Sequence, residues 1–465
     1  MSIDPHIFRA YDIRGKALTQ LTEEASRLIG KGFGTTLRRI YKKDHPVVVL
    51  GRDARTHGPL LENAMKEGLM STGCHVVLIG PTPSPVNYFS ICHGIDEHKI
   101  DAGVQITASH NPKDDNGVKL QLRDAEAYSG DDLQTLRMQI EKKDFLDGTG
   151  SSEHADAVTP YKEFLVKKFK SAGKGLKVVI DAGNGIPGPS YSEVIQSVGA
   201  DVTGLYLEPD GEFPNHPADP SKHATLKDLQ EKVKETGADI GFGFDGDGDR
   251  VGLVDEHGVI RSADEILLLL ARDHLKRKKG APVVFTVSNS EILNTEIERL
   301  GGQAWMTKVG HSFVEHAMRD RGAELGGEQS GHFFCGEDYF GFDDALVAAL
   351  RILTIVSAAK GKTVSGLMAD FPKVYQAHEL RPHCPDDKKT AVITSITAHF
   401  SKSYPVNTLD GARIDFGDGA WAGIRQSNTS PCLSVCMEAR SEEKLKEMEE
   451  EVLGHLKTYP EITLA

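Results

Sequence analysis

The sequence lacks long apolar runs, clustered cysteines and basic stretches. Nowhere do about 18 apolar residues follow one another, so no transmembrane helix is predicted and a membrane is not an expected partner. The six cysteines are scattered without a CxxC pair or the spacing of a zinc finger, as expected for reduced thiols. No run of Lys and Arg is long enough to follow a nucleic-acid backbone, and the formal net charge is -14, which argues against nucleic acid as a partner.

The amino terminus and the composition exclude several further classes of protein. MSIDPHIFRAYDIRG has no basic segment followed by an apolar stretch, so no secretory leader is predicted and the expected location is the cytoplasm. The chain has 47 Gly and 21 Pro among 465 residues, with 26% charged residues, which excludes collagen-like and wholly disordered chains. At roughly 100 to 200 residues per domain, this length predicts about three or four domains.

A pattern of three apolar runs, separated by helical-looking segments, occurs three times along the chain. The first runs of the three copies are HPVVVLGRDART, LKVVIDAGNGIPG and APVVFTVSNSEIL. Strands that alternate with helices of this length predict parallel sheets covered by helices. We therefore predict three α/β domains of related topology, over residues 1–155, 156–258 and 259–371.

The pattern changes after about residue 372. GARIDFG, AWAGIRQ and CLSVCMEAR alternate between apolar and polar residues like antiparallel strands, and SEEKLKEMEEEVLGHLK follows with the apolar stripe of an amphipathic helix. A smaller α+β domain is predicted over residues 372–465.

The third apolar run of each copy leads directly into a polar motif. The motifs are TASHNP at 107–112, DGDGDR at 245–250 and GEQSGH at 327–332. In parallel sheets ligands collect beyond the carboxyl ends of the strands. Three equivalent loops with three different chemistries therefore predict one site to which each domain contributes a part.

DGDGDR has the composition of a site for a hard divalent cation. Asp245, Asp247 and Asp249 alternate with glycines, so three carboxylates can converge while the backbone bends freely, and such oxygen ligands favour magnesium or calcium. A calcium loop of the EF-hand kind is excluded, because Arg250 stands where that loop requires glycine and VGLVDEHGVI then indicates strand, turn and strand.

TASHNP offers a serine that a turn would expose. Ser109 is an oxygen nucleophile beside His110, although a serine before Asn-Pro is also common as a simple turn residue. A phosphoryl group on Ser109 would add roughly -1.5 to -2 charges beside the aspartates. Nearby cations would then be needed, and Arg14, Lys119 and Arg250 are the candidates.

Two further motifs suit a sugar and a phosphate. GEQSGH is expected to bind sugar hydroxyls by paired hydrogen bonds from Glu328, Ser330 and His332. RQSNTSP contains a guanidinium and several hydroxyl and amide donors, which together match the oxygens of a phosphate. These donors belong to Arg425, Ser427, Asn428 and Thr429. Taken singly, either motif is also compatible with an ordinary polar loop.

Together these motifs resemble the α-D-phosphohexomutase family, and most closely its bacterial phosphomannomutase/phosphoglucomutase branch. TASHNP resembles the phosphoserine loop of that family, DGDGDR its magnesium loop, GEQSGH its sugar-binding loop and RQSNTSP its phosphate-binding loop. FRAYDIRG and GRDAR resemble its opening segment. The resemblance implies a heart-shaped molecule of four domains, three of them α/β and the last α+β, around a central active-site cleft.

The resemblance also implies a mechanism. Ser109 is carried as phosphoserine near a magnesium ion, which is bound by a phosphoryl oxygen on Ser109 and by Asp245, Asp247 and Asp249. The phosphoserine gives its phosphoryl group to a hexose 1-phosphate and forms a hexose 1,6-bisphosphate. This intermediate turns over in the cleft and returns its other phosphoryl group to Ser109, which leaves the hexose 6-phosphate. Mannose and glucose phosphates are the expected substrates.

The same resemblance assigns roles to the remaining residues. Residues expected to act in catalysis, besides Ser109, are His110, Lys119, Arg250 and His311. Residues expected to contact the substrate are Tyr11, Arg14, Lys308, Glu328, Ser330, His332, Arg425, Ser427, Asn428 and Thr429. Among these, Glu328 and Ser330 would hold the 3- and 4-hydroxyls of the sugar, and the residues of RQSNTSP would hold the non-reacting phosphate.

Two departures from the branch leave alternatives open. GEQSGH is shared with phosphoglucosamine mutases, whereas the branch usually has GEMSGH; RQSNTSP and FGFDDALVAAL favour the mannose/glucose branch. Ser288 stands where that branch often has a lysine. The alternatives are a phosphoglucosamine mutase, a phosphoserine-dependent sugar phosphatase and a non-catalytic calcium- and sugar-binding protein. The oligomeric state is open, and a monomer is compatible with the sequence.

Overall fold

The structure is a computed structural model that describes residues 3–359, 361, 363–427 and 430–464, packed as two compact units. The first unit comprises residues up to 270 together with 330–368, and the second comprises 271–329 and 369–465. No helix among the described residues has the length and apolar character needed to cross a membrane.

The first unit begins with a six-stranded sheet. Its strands are β1 (Ile13–Lys16), β2 (Val47–Arg52), β3 (His75–Pro81), β4 (Ala102–Ile106), β5 (Asp115–Gln121) and β6 (Ser151–His154). Its helices are α1 (Glu23–Tyr41), α2 (Gly58–Met70), α3 (Ser84–His93) and α4 (Asp131–Glu141), with 3-10 turns at Pro5–Ile7 and Arg123–Ala125. The strand order is β1-β5-β4-β2-β3-β6, in which β2, β3, β4 and β6 are parallel and β5 is antiparallel.

Helix α1 shows how sequence and packing agree in this domain. Thr22 caps the helix by accepting a hydrogen bond from the N–H of Ala25, and Ile29, Phe33 and Leu37 recur at the spacing of one helix face. All three are fully buried in the core of the domain, together with Leu136 of α4.

A second sheet of the first unit has five strands. They are β7 (Lys177–Asp181), β8 (Asp201–Leu205), β9 (Ile240–Phe244), β10 (Val251–Asp255) and β11 (Ile260–Arg261), in the order β11-β10-β9-β7-β8. The helices are α5 (Val158–Lys168), α6 (Gly188–Ser197) and α7 (Lys227–Thr236), and a 3-10 turn covers His223–Leu226.

The third domain continues after α8 (Ala263–Arg277). In the second unit it contains β12 (Pro282–Thr286), α9 (Glu291–Arg299), β13 (Gln303–Thr307), α10 (His311–Arg321) and β14 (Leu325–Gly327). The chain then returns to the first unit with β15 (Phe333–Cys335), α11 (Ala345–Ala358) and α12 (Val364–Met368).

The three α/β domains share one strand topology, as predicted from the repeat. Their corresponding strands lie in the orders β4-β2-β3, β9-β7-β8 and β14-β12-β13, and all are parallel. The third strand of each copy is buried at every position. The polar motifs therefore begin at the same end of equivalent strands.

The fourth domain is an antiparallel sheet with helices, again as predicted. Its elements are β16 (Tyr375–Gln376), α13 (Lys389–Phe400), β17 (Val406–Asn407), β18 (Ala412–Gly417), β19 (Ala420–Gln426), β20 (Leu433–Ala439) and α14 (Glu442–Leu456). The strand order is β16-β20-β19-β18-β17. Ser441 caps α14, and its apolar stripe, with Met448, Val452 and Leu456, is buried in the core of this domain.

Candidate active site

Ser109 follows β4 in a strained backbone conformation. Its φ is +51°, in the left-handed region that residues other than glycine rarely adopt. Its backbone N–H donates to Thr107 Oγ1 at 2.9 Å. The hydroxyl donates to Asp245 Oδ2 at 2.6 Å and lies 3.1 Å from His110 Nδ1. The serine and metal motifs, 136 residues apart, therefore meet as predicted.

Arg55 fixes the conformation of the serine loop through hydrogen bonds. It is fully buried, and its guanidinium donates to Asp53 Oδ2 at 3.1 Å and to four backbone carbonyl oxygens. These belong to Ser109 (2.9 Å), Asn111 (2.7 Å), Pro112 (2.6 Å) and Asp115 (2.9 Å). Arg55 is not among the residues predicted for the site, although it is the last residue of the GRDAR motif. A guanidinium fork can satisfy this many acceptors, whereas a lysine cannot.

The DGDGDR loop is closed by its first aspartate. Asp245 Oδ1 accepts hydrogen bonds from the backbone N–H groups of Gly248, Asp249 and Arg250, at 3.0, 3.1 and 3.1 Å. Gly246 lies against the serine loop, where a Cβ would stand 2.5 Å from the carbonyl oxygen of Ser109. A glycine is required here because any side chain would push the two loops apart.

The three aspartates form a group that could hold a metal ion. One carboxylate oxygen from each of Asp245, Asp247 and Asp249 lies within 4.8 Å of the other two, and all three residues are fully buried. The Oδ1 atoms of Asp247 and Asp249 are buried without a hydrogen-bond partner among the described residues. Buried carboxylate oxygens are costly unless compensated, and a hard divalent cation would satisfy both. The residues therefore fit such an ion.

Lys119 and Ser84 converge on the same carboxylates. Lys119 Nζ donates to Asp247 Oδ2 at 2.8 Å and also to Asp249. Ser84, at the start of α3, donates its hydroxyl to Asp247 Oδ2 at 2.6 Å and its backbone N–H to the carbonyl of Asp247 at 2.8 Å. Ser84 was not predicted, since nothing in PTPSP marks it apart from an ordinary helix start.

The charges of this group shift its acidities in different directions. Burial, together with the charges of Asp249 and Asp247, raises the pKa of Asp245 well above its ordinary value. Burial also opposes ionisation of Asp247 and Asp249, but the Lys119 ammonium outweighs it and holds the pKa of both below the ordinary value. Burial lowers the pKa of Lys119, yet the two aspartates raise it well above its ordinary value. Lys119 is therefore a permanent cation of the site.

The sugar motif contributes His332 to the first unit. Arg250 Nε donates to His332 Nε2 at 2.9 Å, so the ring proton resides on Nδ1, which lies 2.8 Å from Asp343 Oδ2 and 3.6 Å from Asp249 Oδ1. Asp343 was not predicted, and FGFDDALVAAL contains the only signal for it. Burial lowers the pKa of Arg250, but Asp245 and Asp249 raise it overall.

The opening segment lies beside the serine loop. Arg14 is buried, pairs with Asp12 at 2.5 Å and donates to Asn111 Oδ1 at 2.8 Å. Tyr11 precedes this pair and is half-buried. Burial, reinforced by the positive charges of Arg250 and Arg14, lowers the pKa of His110 well below its ordinary value. Ser330, also half-buried, is the first residue of the returning segment.

In the second unit, Glu328 orders a loop that carries two predicted residues. Glu328 Oε1 accepts the N–H of Gly310 at 2.7 Å, while Asp410 Oδ2 accepts the N–H of Val309 at 3.0 Å. His311 begins α10 and is buried, whereas Lys308 is exposed. Ser288 is buried, and Arg413 donates to the carbonyls on either side of it, those of Val287 and Asn289. An arginine of the fourth domain thus approaches the position where a lysine is often found.

The phosphate motif begins with the last two residues of β19, Arg425 and Gln426. Arg425 donates to the carbonyl of Gln426 at 3.2 Å, and its Nε is buried without a hydrogen-bond partner among the described residues. Ser427 accepts a hydrogen bond from Arg381 at 3.1 Å on its hydroxyl. Lys389, which was not predicted, donates to the carbonyls of Ser427 at 3.0 Å and Ser430 at 2.5 Å. Asn428 and Thr429 lie outside the described residues.

The sequence profiles of four domain families match the chain. They describe phosphoglucomutase/phosphomannomutase alpha/beta/alpha domains I, II and III over residues 5–147, 153–258 and 262–375, and the phosphoglucomutase/phosphomannomutase C-terminal domain over 362–455.

Individual relatives agree with these profiles. A phosphomannomutase/phosphoglucomutase of Pseudomonas aeruginosa is 39% identical over 97% of this chain and 95% of its own length. A phosphoglucomutase of Neisseria gonorrhoeae is 36% identical over 99% of both chains. The crystal structure of a phosphoglucomutase/phosphomannomutase family protein from Burkholderia thailandensis, 36% identical, matches with a TM-score of 0.91 over 99% of both chains. The chain therefore belongs to the phosphoglucomutase/phosphomannomutase family.

Proposed function

We propose that this protein interconverts hexose 1-phosphates and hexose 6-phosphates, with mannose and glucose as the sugars. The observation that carries the proposal is the hydrogen bond between the Ser109 hydroxyl and Asp245, inside a buried group of three carboxylates. A nucleophilic oxygen beside a hard-cation site is the arrangement that phosphoryl transfer requires. The names of the relatives support the same reaction.

Ser109 would carry the phosphoryl group between the two ends of the sugar. The free hydroxyl of a hexose 1-phosphate attacks the phosphorus of phosphoserine, the bond from phosphorus to Ser109 Oγ breaks, and the proton of the hydroxyl passes to Ser109 Oγ, which gives a hexose 1,6-bisphosphate. After the bisphosphate turns over, Ser109 Oγ attacks its other phosphorus, the bond from that phosphorus to the sugar oxygen breaks, and the serine proton passes to the sugar oxygen. Hexose 6-phosphate leaves, and the phosphoserine is regenerated. Mg²⁺ held by Asp245, Asp247 and Asp249 would supply positive charge to the phosphoryl oxygens.

Fixed cations of the chain would balance the remaining charge. Lys119 bridges Asp247 and Asp249, and Arg250 contacts His332. Both stay protonated at neutral pH, because their carboxylate neighbours raise the pKa of each against the effect of burial. We assign to His110, whose Nδ1 is 3.1 Å from the serine Oγ, a hydrogen bond to that oxygen during the exchange.

The sugar and the second phosphate would be held by the other motifs. We assign the sugar hydroxyls to Glu328 and Ser330, and the non-reacting phosphate to the RQSNTSP loop. The buried Nε of Arg425, which has no hydrogen-bond partner among the described residues, supports an anion at that loop. The remaining contacts proposed for the substrate are those of Tyr11, Arg14, Lys308, His311 and His332.

The test is phosphorus NMR of the purified protein with Mg²⁺ and a trace of glucose 1,6-bisphosphate. Mannose, glucose and glucosamine 1-phosphates are supplied in parallel. Conversion of the mannose and glucose substrates to 6-phosphates supports the proposal. Preference for glucosamine 1-phosphate would favour the second candidate, a phosphoglucosamine mutase, for which Gln329 of GEQSGH is the specific signal. Release of inorganic phosphate alone would indicate a phosphatase.

Ser109→Ala tests the covalent step. The variant should lose turnover and incorporate no phosphate, while its circular dichroism stays that of the parent. Ser192→Ala is the matched control, because the Ser192 hydroxyl donates to the backbone carbonyls of Gly188 and Pro189 in its own helix, α6. Near-normal mutase activity in Ser109→Ala would refute the phosphoserine mechanism.

A further inference from the structure

A second cluster with the chemistry of a metal site lies on the surface of the first domain. It consists of His75, His98 and Glu153, whose ligand atoms all lie within 4.8 Å of one another. The Nε2 atoms of His75 and His98 are 2.9 and 2.6 Å from the same oxygen, Glu153 Oε1. No part of the proposed mutase reaction uses these residues.

Strand register brings two of the three ligands together. β3 and β6 are parallel neighbours in which His75 pairs with Ser151 and Val77 pairs with Glu153. Because side chains alternate along a strand, His75, Ser151 and Glu153 share one face of this edge of the sheet. The pairing would have to slip by one residue to separate them.

The third ligand is fixed by a tight turn. His98 and Ile95 exchange two backbone hydrogen bonds, of 2.8 and 3.2 Å, in the connection between α3 and β4. Asp96 within this turn has a φ of +49°. The turn holds the imidazole of His98 with its ring centroid 5.2 Å from that of His75.

A hydroxyl group orients the first imidazole. His75 Nδ1 lies 2.8 Å from Ser151 Oγ, which leaves Nε2 directed at Glu153. Metal-binding histidines generally have such a partner on their other ring nitrogen, since it fixes the tautomer and the ring orientation. Side-chain exposures of 21% for His75, 31% for His98 and 46% for Glu153 leave an entry path and an open coordination position for water.

We propose that His75, His98 and Glu153 bind a zinc ion. Two imidazole nitrogens and one carboxylate are a donor set that zinc takes up with water as the fourth ligand, whereas magnesium prefers oxygen ligands throughout. The two histidine nitrogens lie 2.9 and 2.6 Å from Glu153 Oε1, and all three ligand atoms lie within 4.8 Å of one another, so side-chain rotations can place them around an ion with bonds of about 2.0 to 2.2 Å.

The site is remote from the serine loop within the same sheet. His75 begins β3 and His98 precedes β4, whereas Ser109 follows the end of β4. The histidines and Ser109 therefore lie at opposite ends of the parallel strands. A zinc ion would join β3, the 95–98 turn and β6, the edge strand that leads from the first domain to the second. Its effect would be to fasten this connection, without contact with the reacting groups.

Equilibrium dialysis of the full chain against micromolar Zn²⁺, with millimolar Mg²⁺ present to occupy the aspartates, tests the proposal. The parent should bind zinc at this site, and His98→Ala and Glu153→Gln should each lower the affinity by about tenfold or more. His257→Ala is the matched control, because His257 is an exposed partner of a single carboxylate, Glu256, at 3.4 Å. This control should bind zinc as the parent does.

Hydrogen exchange shows where the zinc ion binds, which the number of ions bound in dialysis does not. Zinc should slow exchange of the backbone amides of β6 in the parent and leave them unchanged in His98→Ala. Undiminished zinc binding in both ligand variants, no binding by the parent, or zinc binding without protection of β6 would each overturn the proposal. Mutase activity of the variants in Mg²⁺ alone should equal that of the parent, which separates this site from the proposed function.

Discussion

At the scale of single residues, backbone strain at Ser109 coincides with unsatisfied polar atoms of the aspartates beside it. The left-handed backbone of Ser109 turns its hydroxyl toward Asp245, and the neighbouring Asp247 and Asp249 each keep a buried oxygen without a hydrogen-bond partner in the described part of the chain. A strained backbone and unsatisfied buried oxygens both cost free energy of folding, and they are found mainly where the surrounding structure enforces them or where a bound ligand satisfies the oxygens. The serine and the three aspartates therefore form one cluster rather than two separate motifs.

Asp247→Asn should weaken Mg²⁺ binding by at least about tenfold, because the number of charged oxygen ligands sets the affinity of such sites. Ser84→Ala should give a smaller loss, since it removes only the hydroxyl that orients Asp247. Titration calorimetry with Mg²⁺ measures both. Asp239→Asn, at the opposite end of β9, is the control and should bind Mg²⁺ normally. Equal affinity in Asp247→Asn and the parent would remove Asp247 from the site.

Asp344 is a buried carboxylate with an unusual acidity. It caps α11 by accepting the N–H of Val347 at 3.0 Å, and it also accepts the hydroxyls of Tyr161 at 3.0 Å and Tyr339 at 2.9 Å. Burial outweighs these hydrogen bonds and raises its pKa to about 6. The protonated form is therefore favoured by folding, so Asp344 contributes most stability below pH 4 and loses it as the pH rises through about 6.

Asp344→Asn should remove this pH dependence. Relative to the variant, the parent should lose about 2 kcal/mol of unfolding free energy between pH 4.5 and 7.5, at 1.36 kcal/mol per pKa unit. Urea denaturation of both proteins at the two pH values measures the change. Asp156→Asn is the control and should leave the change between these two pH values as it is in the parent, because hydrogen bonding by Thr159 lowers the pKa of Asp156 and this carboxyl then titrates only at more acidic pH. A parent and an Asp344→Asn variant with parallel pH profiles would contradict the assigned acidity.

Residue-level prediction from the sequence succeeded where spacing alone brings groups together. Ser109 and the three aspartates stand at the ends of equivalent strands, so their meeting follows from the repeat. Arg55 and Lys389 could not be found in this way, because a long side chain reaches carbonyls 54 or more residues away for Arg55 and 38 or more for Lys389. The local sequence around Arg55 or Lys389 does not indicate which distant carbonyl groups the side chain contacts.

At the scale of elements, the serine loop depends on one side chain of another loop. Arg55→Lys should leave buried carbonyl oxygens of residues 109–115 unsatisfied, and each such group costs about 1 to 3 kcal/mol. The variant should show faster amide exchange over this loop and a lower kcat. Arg52→Lys is the matched control, since Arg52 is partly exposed and pairs with Glu62. Unchanged amide hydrogen exchange in Arg55→Lys would mean that the serine loop keeps its conformation without Arg55.

The elements that sequence analysis recovers are those with a strong period. The three copies of parallel strands and the antiparallel sheet of the fourth domain were predicted and confirmed by the topology. Strand β6 was not predicted, because all four of its residues are exposed and no apolar alternation marks it. The predicted domain limits at 155, 258 and 371 stay predictions.

At the scale of the whole molecule, the third and fourth domains are joined within the second unit by buried charges. Arg413 of β18 donates to Glu291 at 2.9 Å and its guanidinium lies 3.6 Å from the ring centroid of Trp421. Glu438 of β20, fully buried, accepts the N–H of Glu291 at 3.0 Å and the Trp421 indole N–H at 3.2 Å. A carboxylate at the amino terminus of α9 also suits the helix dipole.

Arg413→Met should therefore loosen the two domains from each other. Arg413 is buried and Glu291 is partly exposed, so the main cost of the change is the loss of the hydrogen bonds from Arg413 to the carbonyls of Val287 and Asn289, about 1 to 3 kcal/mol for each buried group left unsatisfied. Differential scanning calorimetry should show the fourth domain unfolding at a lower temperature than in the parent. Arg299→Met, which removes an exposed arginine that pairs with Glu296 within helix α9, should shift this temperature little. A single unshifted transition in Arg413→Met would contradict this coupling.

The shared strand topology of the three α/β domains has a consequence for how such a protein can change. Each domain offers the same strand end, and the loops there carry three different motifs, TASHNP, DGDGDR and GEQSGH. Sequence drift in one loop leaves the scaffolds of the other two untouched. One motif can thus change while the other two keep their sequence, so three copies of one fold offer a modular route to new specificities.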